Sequence, residues 1–136
     1  MIPISAVSIL SLAVIAISAC ADLCGNDVIA RLPCPDGVHD AVIYQRDCGA
    51  TTGFSTQVTL LKAGAALPKT PTPITVIDSD HGRAPAGPGG GPVIDATWLA
   101  PDSLLLRFDT RARVFQQRRR AGRVVIQYDS IVAGGA

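Results

Sequence analysis

The apolar residues of this chain fall into one long unbroken run followed by many short ones. From Met1 to Ala19 there is no charged side chain, and only Pro3 and the small residues Ser5, Ser8, Ser11 and Ser18 interrupt the run. Such a stretch is long enough to enter a bilayer and too monotonous to fold as a domain, so residues 1–19 are read as a targeting segment, with an uncleaved membrane helix as the alternative. Beyond it, short apolar-rich runs recur, most of them near Pro, Gly or Asp: Val28 to Leu32, Val38 to Tyr44, Gln57 to Leu61, Ile74 to Ile77, Ala96 to Leu99, Leu104 to Phe108, Arg113 to Gln116 and Val124 to Tyr128. Almost nothing has helical period. Val58-Leu60 and Leu104-Leu106-Phe108 show the two-residue alternation of a half-buried strand, and in both the opposite face is mixed. The pattern predicts an all-β domain over residues 28–136, a small antiparallel sandwich or open barrel of about seven or eight short strands.

Two segments interrupt the strands. Gly82 to Pro92 is so rich in Gly and Pro that neither helix nor central strand is open to it, and it is expected to be an exposed loop that adds little to the fold. A second loop, from Gly64 to Pro73, contains Pro68, Pro71 and Pro73, which break any ladder. The chain also carries a weak internal repeat. Val28 to Val42 superposes on Ile94 to Phe108, matching Ala30 to Ala96, Pro35 to Pro101 and Asp36 to Asp102. Each half reads as a strand, a Pro-Asp turn and a strand.

Charge narrows the range of partners. The formal net charge is +1, and no concentrated basic face argues for nucleic acid. Residues 20–99 hold eight Asp against five basic residues, whereas residues 100–136 hold seven Arg against three Asp. Within the second group Arg118, Arg119, Arg120 and Arg123 lie between two apolar strands. They are expected at the tip of a hairpin turning near Gly122, solvated or in contact with headgroups or an acidic partner.

Candidate chemistry is sparse. Arg46, Asp47, Thr51, Thr52 and Ser55 belong to a Gly-interrupted, hydroxyl-rich segment whose amides could cradle an anion, although it lacks the Gly-Lys-Ser/Thr ending of a phosphate-binding loop. The alternative is a turn whose hydroxyls satisfy their own backbone. Asp78, Asp80 and His81 offer weak candidate metal ligands at a strand end, with no companion cluster to complete a site. His39 is the other imidazole, and neither histidine belongs to a nucleophile–base motif. Trp98 is expected to be core. No cofactor is implied.

The end of the targeting segment, Ile17-Ser18-Ala19-Cys20, resembles the lipobox of bacterial lipoproteins, and the resemblance implies diacylglycerol on Cys20 and cleavage before it. Residues 20–27 then form the anchor cysteine and a short tether. The expected partner is a membrane, reached through the lipid on Cys20, and the expected location is the bacterial cell envelope, facing the periplasm or exterior. From Pro35-Asp36-Gly37, and then Arg46 through Val58, the mature chain resembles a family of small uncharacterised bacterial proteins. Looser similarity continues through Asp80-His81-Gly82 and from Trp98 onward. That resemblance implies kinship and no activity.

In such an oxidising compartment Cys24 and Cys48 are expected to form a disulfide. The run from Cys34 to Val38 suits a three-residue hairpin loop. With Cys34 opposite Val38, an unbroken antiparallel ladder brings Cys24 opposite Cys48. Cys34 would then lie roughly 33 Å from that pair and stay free. The functional expectation is a non-enzymatic envelope protein that binds or braces an envelope component. A small metal-dependent or hydrolytic enzyme using His81 with Asp78 and Asp80 is the alternative.

Overall fold

The structure is a computed structural model that describes residues 24–49 and 53–131. The described residues form nine strands and no helix: β1 Gly25–Pro33, β2 His39–Asp47, β3 Ser55–Lys62, β4 Thr75–Asp78, β5 Ile94–Ala100, β6 Ser103–Asp109, β7 Arg113–Gln117, β8 Arg120–Ala121 and β9 Val124–Ile131. They form two sheets, one ordered β1-β2-β3-β4-β7 and the other β5-β6-β9-β8, in the manner of a sandwich. The eight strands expected from the sequence are all present. β1 starts at Gly25, inside residues 20–27, which the sequence reading assigns to an anchor cysteine and tether.

One feature departs from an all-antiparallel arrangement. β6 and β9 run parallel, from Ser103↔Val125 to Asp109↔Ile131. The chain leaves β6 for the other sheet as β7 and returns as β8, so β9 re-enters from the same end as β6, which is the crossover a parallel pair requires. Consequently the basic hairpin is made by β8 and β9 rather than by the Arg113 to Gln116 strand. It turns through Gly122 and Arg123, and Gly122 has φ +58°, the left-handed first position that glycine supplies in a two-residue turn.

The core lies between the sheets. Ala41, Ile43, Val58 and Ile77 from the larger sheet meet Ile94, Ala96, Leu104, Leu106, Phe108, Val124 and Ile126 from the smaller. Leu104 and Leu106 are fully buried, each contributing roughly 1.5–3 kcal/mol by removal from water. Tyr128 packs edge-on against Phe108 at 6.3 Å between ring centroids. Its hydroxyl donates to the Arg118 carbonyl and lies 2.9 Å from Thr75 Oγ1, which ties the two sheets together. Trp98 packs against this core, as expected, and its indole N–H donates to the Leu32 carbonyl at 3.0 Å.

The larger sheet is covered on its second face as well. Val42 and Tyr44 alternate with Ala41 and Ile43 and so point away from the sandwich interior, yet they are fully buried. The segment after β3 lies over them. The Thr59 hydroxyl donates to the Thr72 carbonyl, Asn26 to that of Lys69, and Arg31 to that of Ala65. Asp40, buried in the same face, accepts from the Arg31 guanidinium at 2.7 Å and from the Gly64 amide at 3.0 Å. A loop thus takes the place of a third layer.

The glycine-rich segment also packs, contrary to the sequence expectation of an exposed loop that adds little. Ala84 is 1% exposed, Pro92 is buried, and the Thr56 hydroxyl donates to the Pro92 carbonyl at 2.6 Å. Gly87 donates to the Gly91 carbonyl, and Ala86 bridges to Pro92. The segment closes as a tight turn over Gln45 and Thr56, where glycine is needed for close approach rather than for flexibility.

Candidate functional site

Cys24 and Cys48 form a disulfide, and Cys34 is free and buried. The crosslink joins the start of β1 to the end of β2. At this end of the sandwich also lie the tip of the β2–β3 hairpin and the glycine turn, while the Pro35-Asp36, Pro101-Asp102 and Gly122-Arg123 turns lie at the other.

The residues singled out by sequence are only partly brought together. Arg46 and Ser55 face each other across the β2–β3 ladder, whereas Asp47, the next residue along, alternates to the opposite face. Arg46 donates to Asn26 Oδ1 at 2.8 Å, Asp47 accepts from the Gly49 amide, and the Ser55 hydroxyl accepts from Gln57. The three side chains are thus tied to local partners and do not converge. Thr51 and Thr52 lie outside the described residues, as do Cys20 and residues 1–19. No helix among the described residues is long and apolar enough to cross a membrane.

Asp78, Asp80 and His81 occupy a tight corner after β4. Asp80 and His81 have φ of 49° and 56°, a conformation uncommon outside glycine. The Asp78 carboxylate is spent on structure: it accepts from Arg113 Nε and Nη2 at 3.1 and 2.6 Å and from the Asp80 amide at 2.9 Å. Burial pushes this carboxyl up, but the Arg113 guanidinium and the Asp80 amide overcome that effect and hold it below its usual range. Among the described residues no group of three or more His, Cys, Asp and Glu side chains is arranged to hold a metal ion.

A more capable surface lies at the turn end, where the two halves of the internal repeat meet. Cys34 Sγ, beside the first Pro-Asp turn, is 3.4 Å from the carbonyl of Pro101 in the second. Burial pushes the Cys34 thiol above its usual value, so it stays protonated and is a poor nucleophile. Beside it opens a cleft of about 760 Å³, with Val38, Leu60, Pro101 and Val124 supplying apolar walls. Asp36, Asp102, His39 and Arg123 line it as well. The Val38 amide, donating to Asp36 at 2.8 Å, and the Cys34 thiol hold the Asp36 carboxyl below its ordinary value. His39 Nδ1 lies 3.7 Å from Asp36 Oδ2. Volume and chemistry fall within the range of sites that take one apolar group and orient it with a few polar contacts. Sequence reasoning did not single out this cleft; the repeat of the Pro-Asp turn was the signal that could have found it.

Asp36, Asp40, Asp78 and Asp109 all have carboxyls lowered by folding, Asp109 to about 2 through hydrogen bonds from the Arg111 guanidinium and amide. A carboxyl lowered in the folded state stabilises fully above its unfolded value of about 3.9, and the contribution is lost as pH falls through the folded value. The melting temperature, followed by circular dichroism, is therefore expected to be flat from neutral pH to about 4 and to fall from there towards about 2. A fall confined to the range between neutrality and pH 5 would contradict this assignment.

No family model, curated protein or solved structure matches the chain.

Proposed function

We propose that this protein is an exported, lipid-anchored envelope protein whose role is to bind an envelope component rather than to catalyse a reaction. The turn-end cleft carries this reading, because it is concave, walled by apolar side chains, and set at the end of the sandwich opposite Cys24, four residues from the acylated cysteine. A lipid on Cys20 would fix one end at the bilayer and present the cleft away from it. The chemistry of the cleft suits an apolar group bearing a charge or a hydrogen-bonding headgroup. The neighbouring thiol is buried and protonated, and the other histidine lies at the far end beside a carboxylate engaged by Arg113, which supports binding over catalysis.

The test has two arms on the full chain in its native membrane. Mass spectrometry of the mature protein is expected to find an amino-terminal Cys20 peptide carrying acyl chains, and Cys20→Ala to lose both the acylation and the cleavage. Val38→Asp, at a side chain 56% exposed in the turn, is expected to leave folding intact and to abolish crosslinking to whatever occupies the cleft. An intact Met1 to Ala19 segment on the mature protein would overturn the anchor, and undiminished crosslinking would overturn the cleft.

A further inference from the structure

We propose that the end of the sandwich bearing the disulfide also docks on the lipid surface, through an apolar patch formed by Phe54, Ile29 and Val93 around the glycine turn. The proposal rests on the lipid-anchor reading and goes beyond it, since an acylated cysteine needs no second contact with the bilayer.

The three side chains are 40%, 42% and 47% exposed. They surround one turn: a Cβ at Gly90 would meet the Phe54 ring at 2.7 Å, one at Gly89 the Ile29 side chain at 3.2 Å, and one at Gly87 the Val93 side chain at 2.6 Å. The turn is thus a backbone platform carrying three apolar side chains at its rim.

The tether selects the occupant. Cys24, the first described residue, is crosslinked to Cys48, and the four residue steps from Cys20 to Cys24 span at most about 14 Å. The hairpin tip that carries Phe54 is part of that crosslinked end, because Ser55, which follows Phe54, pairs with Arg46 two residues before Cys48. A bilayer that holds acyl chains on Cys20 is therefore within reach of Phe54. Interfacial apolar groups sit about 5–10 Å into the headgroup boundary. Of the arginines at this end, Arg111 is engaged by Asp109 and Arg113 by Asp78, and Arg83 lies within 3.8 Å of Asp80, which leaves the contact to the apolar patch.

The test uses the full acylated chain in phosphatidylcholine vesicles whose acyl chains are brominated close to the headgroup. Phe54→Trp places an indole in the patch, and Val38→Trp places one at the turn end; Trp98 is common to both variants. Emission from the Phe54→Trp protein is expected to fall about twofold relative to unbrominated vesicles, at low and high salt alike, with that of Val38→Trp unchanged, since only the first indole reaches interfacial depth. Equal quenching of the two variants in protein that floats with the vesicles would overturn the docking and leave the anchor standing. An indole that is blue-shifted but unquenched would show that a second copy of the chain covers the patch, which also overturns it. Protein that does not float would sink the anchor and the docking together.

Discussion

Replacing Cys24 and Cys48 together with serine is expected to destabilise the domain by about 3 kcal/mol, the chain-entropy value for a loop of this length. The crosslinked residues are 24 apart in sequence, so reduction frees a long, mobile loop in the unfolded chain and widens the ensemble that folding must overcome. The bond is also well placed to act in the folded state. β1 is an edge strand of its sheet, and its first residues would otherwise be held to β2 by ladder hydrogen bonds and the Arg46–Asn26 contact, with no covalent tie. Roughly 10–20 °C of melting temperature is at stake for a domain of this size. Cys34→Ser serves as the comparison, because a hydroxyl can keep the contact with the Pro101 carbonyl. Differential scanning calorimetry of the double variant against wild type decides the matter. A loss below about 1 kcal/mol would mean that the unfolded chain is already compact around these residues.

The disulfide was legible in the sequence, although two departures from the expected register cancel on the way to it. The hairpin loop holds four residues, Pro35 to Val38, not three: Cys34 N–H donates to the His39 carbonyl, and Pro33 pairs with Asp40. Next to the turn, every pair is therefore one residue out from the expected ladder. Between Val28 and Ala30 the register shifts back. Ile29 is the extra residue of a bulge, and from Val28↔Tyr44 to Gly25↔Asp47 the ladder follows the expected count. Turn length and bulge depend on backbone geometry that a count of residues along the chain does not contain.

The strands were legible for a simpler reason. Short apolar runs bounded by Gly, Pro and Asp have few alternatives to β structure, and each such run became a strand. The faces were harder to read, and the larger sheet explains why. Asp40, Thr59 and Gln57 look like solvent-facing positions in sequence, yet all three are buried, because the loop after β3 supplies the Gly64 amide to Asp40 and the Thr72 carbonyl to Thr59, while Gln57 is met by the hydroxyls of Tyr44 and Ser55. Pairing with that loop is a long-range event, invisible to any local window. The cleft was hidden likewise, since Val38, Pro101 and Arg123 come from three turns that only the folded sandwich brings together. Among the residues named in advance, Arg46 and Ser55 meet across a ladder, while Asp78 is claimed by an arginine 35 residues away.

Gly91→Ala is expected to destabilise the domain by about 1–3 kcal/mol, and Gly89→Ala by less than about 1 kcal/mol, although the added methyl of the second would come nearer to its neighbour. A Cβ at Gly89 would approach Gln45 Oε1 to 2.1 Å. That oxygen is the far end of a long side chain, which can give way where a backbone atom cannot. At Gly91 the Cβ would meet Thr56 Oγ1 at 2.6 Å, with the Phe54 carbonyl oxygen and Ser55 backbone at 3.4 Å behind it. The Thr56 hydroxyl is held at 2.6 Å to the buried Pro92 carbonyl, so turning it away leaves a buried acceptor unpaired, and keeping it forces two backbone segments apart. The first route costs about 1–3 kcal/mol and the second about as much in overpacking. Urea unfolding of the two variants beside wild type measures both. The order of the two effects is the decisive result: if Gly89→Ala proves the more damaging, distance alone governs this turn and Gln45 is as fixed as Thr56. If neither substitution shifts the midpoint, the segment does not pack against the sheet, and the exposed loop expected from its sequence is the correct description.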